Sequence, residues 1–290
     1  MARVSDVADA GAGLDEPEQR ELDLTGSLAV AVLVGAALAV TARVGATALL
    51  VAIAAVQALL GFAWIYGTRL PGRRGALLIG ALAAAGSDVC VSVWPASRLG
   101  TELIVFALAV PVMFVHQLTR GAARTRIVES LGSIAVLVLA EAALPALLQL
   151  RHEFGRDLGG QVVSGVVVAA AGALVIGCLV DLVYSAPRFD PDVPRGLLAV
   201  AASAGLGGSI GYLMLQSDRL VELHGGRGAF LGAALGVLIG LFAVGTGFIE
   251  HSTPVPGTRF GQRMRPVLGA LVPLAVLSPI AFLLCLAIRG

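Results

Sequence analysis

The chain has 290 residues, of which 57% are hydrophobic and 13% are charged, and its formal net charge is +1. Soluble domains average about a quarter charged residues and less than half apolar ones, so this composition excludes a water-soluble fold. All 20 basic residues are arginines, and they form no basic face of the kind that binds nucleic acid. The composition therefore predicts an integral membrane protein with the lipid bilayer, and no nucleic acid, as its partner.

The first 23 residues are predicted to form a disordered acidic tail. They hold seven acidic residues against two arginines and contain no apolar run, so they do not resemble a signal peptide. No cleavage site precedes the first apolar run, and we expect that run to remain as a membrane anchor. The sequence thus divides into a cytoplasmic tail over 1–23 and a single transmembrane domain over 24–290.

Nine long apolar runs follow the tail, each close to the ~20 residues that a helix needs to cross the hydrocarbon. Because lipid-facing backbone must satisfy its own hydrogen bonds, each run is predicted to be a helix, which gives an all-α polytopic bundle. The predicted spans are 24–42, 45–67, 75–94, 101–119, 127–150, 161–184, 197–215, 229–249 and 266–288. The count carries a margin of about one span, because only two residues separate the first two runs.

Arginines are distributed unevenly between the two sets of loops. With nine spans, the tail and the even-numbered loops hold 13 arginines and the other loops hold 7. Cytoplasmic loops retain positive charge, so the N-terminus is predicted to lie inside, in a multi-pass protein of the cytoplasmic membrane. Three loops carry the triplets Arg69, Arg73, Arg74; Arg120, Arg124, Arg126; and Arg259, Arg263, Arg265. These triplets either set the topology alone or also bind anionic lipid headgroups.

Small residues at four-residue spacing predict one close helix pair. Span eight carries Gly228, Gly232, Gly236 and Gly240, and span seven carries Ser203, Gly207 and Gly211. Such rows allow two backbones to approach closely in a membrane. We predict that spans seven and eight pack through these faces. A sliding seam or a homodimer contact is the alternative, and the oligomeric state stays open.

Two acidic residues lie deep in the predicted spans. An ionisable side chain inside a bilayer is costly unless it is paired or hydrated, so it is a functional candidate. Asp88 and Glu141 lie 13 and 14 residues inside spans three and five, a depth of about 20 Å for both. If the two helices are neighbours, these carboxyl groups form a candidate proton relay or cation site, since like charges at close range favour sharing a proton. The alternative is that each is hydrogen-bonded elsewhere.

A second acidic group lies near the predicted cytoplasmic surface. Asp181 lies near the inner end of span six, and Asp190 and Asp192 follow it in a proline-rich loop. These carboxylates are a weak candidate for binding a divalent cation, and an ordinary turn explains the same residues. We therefore assign no metal site and no cofactor from the sequence.

The boundary between spans four and five carries further polar residues. His116 and Gln117 close span four, and Glu129 opens span five. Because no serine or cysteine nucleophile lies beside the histidine, we interpret these residues as an interfacial group that pairs locally. Glu129 is also favoured near a helix N-terminus by its charge.

Well-marked enzyme motifs are absent from the sequence. There is no Walker loop, no HExxH helix, no GxSxG elbow and no GxGxxG in a strand-to-helix setting. Two segments, HQLTRGAARTRIVESL at 116–131 and RPVLGALVPLAVLSPIAF at 265–282, resemble segments of uncharacterised multi-pass membrane proteins from actinobacteria. The resemblance implies a helical membrane protein and brings no activity with it.

Two classes of function are predicted as alternatives. The first is a non-enzymatic protein, either a small transporter or a membrane component of a cell-envelope system, because intramembrane polar groups occur without a catalytic set. The second is an enzyme acting on a lipid or polyprenyl-phosphate substrate at the cytoplasmic face. In that case the arginine loops would bind phosphate, and Asp181 with Asp190 and Asp192 would hold a metal. A pure scaffold would tolerate amide substitution of every buried carboxylate.

Overall fold

The computed structural model describes residues 16–68, 72–97, 100–120, 126–184, 186–189, 195–216, 225–252 and 258–289. Within these ranges the chain forms ten α-helices and a 3₁₀ turn at Pro95–Ser97. The helices are α1 Glu16–Val44, α2 Ala46–Gly67, α3 Arg73–Val93, α4 Gly100–Thr119, α5 Ile127–Ala143, α6 Ala146–Glu153, α7 Gly155–Val183, α8 Leu197–Met214, α9 Gly226–Ser252 and α10 Arg259–Arg289.

The predicted bundle of nine membrane spans is confirmed. In the part of the chain that the structure describes, nine helical segments are long and apolar enough to cross a membrane. The fifth of them, Ile127–Glu153, consists of α5 and α6. The prediction of one continuous helix over 127–150 is wrong at Pro145, because proline has no N–H to donate and its ring displaces the carbonyl four residues earlier.

The first helix is longer than predicted. It begins at Glu16, eight residues before the predicted start of the first span, and residues 1–15 lie outside the described ranges. Arg20 in this turn donates a hydrogen bond of 2.7 Å to the carbonyl of Asp181 on α7, which ties the polar start of the helix to the bundle. At its other end, Gly45 alone joins α1 to α2.

The larger part of the bundle is built around α7. Helices α1 and α7 run antiparallel along their whole length, since Arg20 meets Asp181 at one end and Gly160 lies against the backbone of Ala42 at the other. Helix α10 crosses the same body from Ser27, which donates to the Pro266 carbonyl at 3.0 Å, to Glu153, whose carbonyl accepts from Arg289. Alanine, valine and leucine side chains from these helices and from α2 and α9 form its buried core.

Helices α3, α4 and α5 form a smaller group with a core of its own. That core holds Ala76, Ile79 and Ala83 of α3, Ala109 and Met113 of α4, and Ile134 and Val138 of α5. The group packs against the rest of the bundle through α2 and α10. The smaller group therefore meets the larger body along α2 and α10.

The loops alternate between two ends of the bundle. One end, here called the N-terminal face, carries the starts of α1, α3, α5, α8 and α10. The other, here called the opposite face, carries Gly45, the 3₁₀ turn and the α6–α7 corner at Phe154. The arginine distribution predicts that the N-terminal face is cytoplasmic.

Helices α8 and α9 pack backbone to backbone. A Cβ atom added at Gly232 would lie 2.0 Å from the carbonyl oxygen of Gly207, and one added at Gly236 would lie 2.1 Å from that of Ser203. Gly211 similarly faces the Gly228 carbonyl, and Gly240 faces Val200. The two glycine rows singled out in the sequence thus lie face to face within this chain.

Candidate functional site

Glu141 lies where α2, α3 and α5 meet, and its side chain is enclosed by two glycines. The residue is 3% exposed. Its Oε1 atom lies beside Gly61 of α2, where an added Cβ would approach to 2.6 Å, and its Oε2 atom lies beside Gly80 of α3, where the distance would be 2.5 Å. Oε2 has no hydrogen-bond partner among the described residues. Any larger residue at these two positions would occupy the space of the carboxyl group.

Gln57 of α2 connects this carboxyl-bearing residue to Asp88. Its Nε2 atom donates to the backbone carbonyl of Glu141 at 3.0 Å and to Oδ1 of Asp88 at 3.3 Å. The Glu141 carbonyl needs a donor because residue 145, four positions later, is a proline without an N–H. The broken helix and the buried amide are thus one feature: Pro145 frees a carbonyl, and Gln57 satisfies it.

Asp88 and Glu141 are brought together, although not as a hydrogen-bonded pair of carboxyl groups. The shared contact with Gln57 places Asp88 at the level of the Glu141 backbone, in agreement with the equal depth expected from the sequence. The Glu141 side chain then points along α5 toward Gly80 and the N-terminal face, as helical side chains do. Asp88 is only half-buried. Gln57 therefore lies between the half-buried carboxyl group of Asp88 and the enclosed carboxyl group of Glu141.

Asp181 lies at the N-terminal face and holds the chain that leads into α8. Its Oδ1 atom accepts a hydrogen bond of 2.9 Å from the N–H of Gly196, and its Oδ2 atom lies 3.6 Å from the guanidinium of Arg195. Asp181 is 1% exposed and Arg195 is 6% exposed. Arg195 also donates to Sγ of Cys178 at 3.1 Å. The carboxylate is thus engaged by one backbone donor and one cation.

The metal alternative for this region finds no further support. Asp190 and Asp192, which would complete the acidic group, lie outside the described residues. Among the residues that are described, no three His, Cys, Asp or Glu side chains lie close enough to hold a metal ion. Asp181 instead forms a buried ion pair with Arg195, which lies just before α8 in the described part of the chain.

The polar residues around the α4–α5 connection pair differently from the sequence interpretation. Gln117 donates to the hydroxyl of Ser130 at 3.0 Å, and Glu129 forms an ion pair with Arg126 three residues earlier. His116 pairs with neither and instead covers Gly75, where an added Cβ would lie on its ring. Its position makes it a packing residue between α3 and α4.

The predicted arginine triplets fall at the N-terminal face wherever they are described. Arg69 and Arg124 lie outside the described residues, and Arg74 lies in the first turn of α3. Arg73, Arg259 and Arg263 are exposed, whereas Arg120 donates to Gln117 at 2.8 Å. Arg265 is 9% exposed and donates to the carbonyl of Glu250 on α9.

Sequence reasoning missed Gln57, Gly61 and Gly80 as parts of the Glu141 site. Each is a single residue in an apolar helix, and only the packing of α2 and α3 against α5 gives it a role. The one local signal was Pro145, because a proline inside a span leaves the carbonyl of residue 141 in need of a donor. A search of the other spans for an amide or hydroxyl would have found Gln57.

Within the described residues, nine apolar helical segments define this chain as a multi-pass integral membrane protein. Comparison with protein-family models, with curated proteins and with solved structures found no match to this chain. The function proposed below is therefore argued from the chain's own residues.

Proposed function

We propose that this protein is a small transporter of the cytoplasmic membrane, and that Glu141 carries a proton coupled to the movement of a solute. The observation that supports this most directly is the enclosed carboxyl group of Glu141. It is buried within a membrane span, and no arginine or histidine among the described residues pairs with it. Intramembrane carboxyl groups of this kind are typical of proton pathways in transporters.

The energetics of burial favour such a role. Taking an isolated carboxylate out of water costs several kcal/mol, so an enclosed carboxyl group is most stable with its proton bound. When water reaches the same group, the free-energy cost of ionisation falls and the proton can leave. Asp88, which is half-buried and shares Gln57 with Glu141, offers a second acceptor on the way out.

The position of the site also favours transport. Glu141 lies on α5, in the smaller group of helices, and faces Gly61 on α2, where that group meets the larger body. In many transporters, substrate and ion sites lie between two packed bodies, at helices interrupted near the middle of the membrane. The break at Pro145 lies one turn beyond Glu141. In the proposed mechanism, a rotation of α3, α4 and α5 against the larger body gives the carboxyl group access to one face and then to the other.

The proposal is tested by proton flux into proteoliposomes with a trapped pH-sensitive dye, under an imposed potential, with and without external phosphate esters and carboxylates. We expect Glu141→Gln to abolish flux and Asp88→Asn to reduce it, because an amide cannot release a proton. Glu129→Gln is the matched control on the same helix, since Glu129 is paired with Arg126 at the surface. Native protein that carries no protons under any of these conditions overturns the proposal, as does a Glu141→Gln variant with native flux.

A further inference from the structure

A cleft opens on the opposite face, at the far end of the span that carries Glu141. It has a volume of about 710 Å³, and the corner between α6 and α7 forms one wall through Arg151, His152 and Arg156. Ala46 and Pro95 form the other wall. Pockets that hold small organic ligands have volumes of roughly 300–1,000 Å³. The cleft is therefore large enough for a small organic solute.

The charge of the cleft favours an anion. Among the described residues, neither Arg151 nor Arg156 takes part in an ion pair, and Nε of Arg151 is buried without a hydrogen-bond partner. The acidic residue of the lining, Glu153, has its Oε1 atom 3.9 Å from the guanidinium of Arg289. Two arginines are thus left to face the cleft, and a planar guanidinium binds phosphate and carboxylate groups through paired hydrogen bonds.

A buried polar residue lies between the cleft and the Glu141 site. Arg151 lies ten residues after Glu141 along the same span, a rise of about 15 Å. Between them, Gln149 is buried and donates to the carbonyl of Pro95, a residue of the cleft wall, while its Oε1 atom has no partner in the described part of the chain. On the other side, Pro95 follows α3, the helix of Asp88. Apolar packing between helices does not by itself require a buried side-chain amide such as that of Gln149.

We infer that this cleft is the solute site of the transporter and that it takes a small organic anion carrying a phosphate or carboxylate group. The inference rests on the proposed function, in which the proton bound by Glu141 offsets charge carried by the solute. Arg151 and Arg156 bind the anionic group, and the rest of the cleft accommodates the remainder of the molecule. A phospholipid headgroup offers the same chemistry from the bilayer, and the experiment separates the two sources.

The test measures binding of glycerol phosphate, inorganic phosphate and succinate to the full-length protein in a neutral detergent, by calorimetry. We expect at least one of these probes to bind, and Arg156→Gln and Arg151→Gln to weaken binding by about tenfold or more, as for the loss of a charge-assisted contact. Arg156 is exposed, so its replacement leaves the core intact. Arg263→Gln, an exposed arginine at the N-terminal face, is the matched control and should bind as the native protein does.

A second variant keeps both arginines. Ala96→Trp fills the exposed wall of the cleft and should also abolish binding. The inference is overturned if no probe binds the native protein or if the arginine variants bind normally. It is also overturned if the protein binds only phosphatidylglycerol, presented in phosphatidylcholine nanodiscs, since that result assigns the cleft to lipid. Glu141→Gln tests the two proposals separately, because it should abolish proton flux and leave anion binding unchanged. This combined result supports both proposals. Anion binding without any proton flux in the native protein refutes the proposed function and leaves the anion site standing.

Discussion

Glycines serve opposite purposes in two regions of this bundle. Between α8 and α9, Gly232 and Gly236 allow the backbone of one helix to lie against the carbonyls of the other. Around Glu141, Gly61 and Gly80 keep space open, and that space is filled by the two carboxyl oxygens of a side chain from α5. The first region is a contact between two main chains. The second is a compartment for one ionisable group.

The difference determines what each region can do. A carbonyl oxygen of a helix cannot move without moving the helix, so the α8–α9 seam resists any added atom. A carboxyl group at the end of a flexible side chain can move, and at Glu141 it can also gain or lose a proton. Substitutions of glycine by alanine should therefore damage stability in the seam and function in the compartment.

The largest effect is expected from Gly232→Ala. The new Cβ would lie 2.0 Å from the Gly207 carbonyl oxygen, so the helices must separate along the seam. Overpacking of this kind costs about 3 kcal/mol when the neighbouring atoms cannot yield. Thermal or denaturant unfolding of the purified protein in detergent measures this loss. Gly245→Ala is the control on the same helix, because a Cβ there meets no atom within 4 Å.

If the Gly232 and Gly245 variants unfold alike, the seam is not a rigid backbone contact and the comparison fails. A severe loss of stability for Gly232→Ala alone would instead show that the row of small residues holds the two helices together. The same result for a variant of Gly236, which faces the Ser203 carbonyl, would extend the conclusion along the seam.

Gly80→Ala should have a smaller effect on stability, of about 1 kcal/mol, because the clashing atom is the movable Oε2 of Glu141. We expect proton flux to fall, since the carboxyl group is pushed out of its compartment. Gly86→Ala is the control on α3, where the nearest atom to an added Cβ is 3.6 Å away.

A double-substitution cycle sharpens this prediction. In a Glu141→Ala background the carboxyl group is gone, and the additional stability cost of Gly80→Ala should fall to that of the remaining contact with Cδ2 of Leu137 at 3.1 Å. An equal stability cost in both backgrounds would mean that the clash at Gly80 does not come from the carboxyl group. Gly80 would then not be part of a site around Glu141.

The two regions also differ in how far the sequence predicted them. The α8–α9 rows repeat every four residues within single helices, so their pattern is visible in one dimension. The apolar runs similarly predicted nine spans, because span length is set by bilayer thickness. Gly61 and Gly80 carry no such pattern. Each is a single glycine on a different helix, and only the partner side chain from α5 explains it.

The errors have related causes. Pro145 interrupts the fifth span while hydropathy stays high, so a window average passes over the break. The first turns of α1, which begins at Glu16, are held by a contact between Arg20 and Asp181 of α7, 161 residues away in the sequence. His116 was expected to pair within its own loop, yet it packs on Gly75 of the preceding helix. The break at Pro145 has a local cause, whereas Arg20 and His116 each contact a residue that is distant in sequence.

The smallest effect is expected from Ser203→Ala, which tests what else holds the seam. The Ser203 hydroxyl donates to the carbonyl of Ala173 on α7 at 2.7 Å, so it ties α8 to the central helix. Interhelical hydrogen bonds in membranes contribute about 0.6 kcal/mol on average. Ser209→Ala is the control, since that hydroxyl donates to the Gly205 carbonyl of its own helix. Unfolding should show a small loss for Ser203→Ala and almost none for Ser209→Ala. A loss for Ser203→Ala as large as that for Gly232→Ala would mean that hydrogen bonding to α7, rather than close backbone contact, keeps α8 in place.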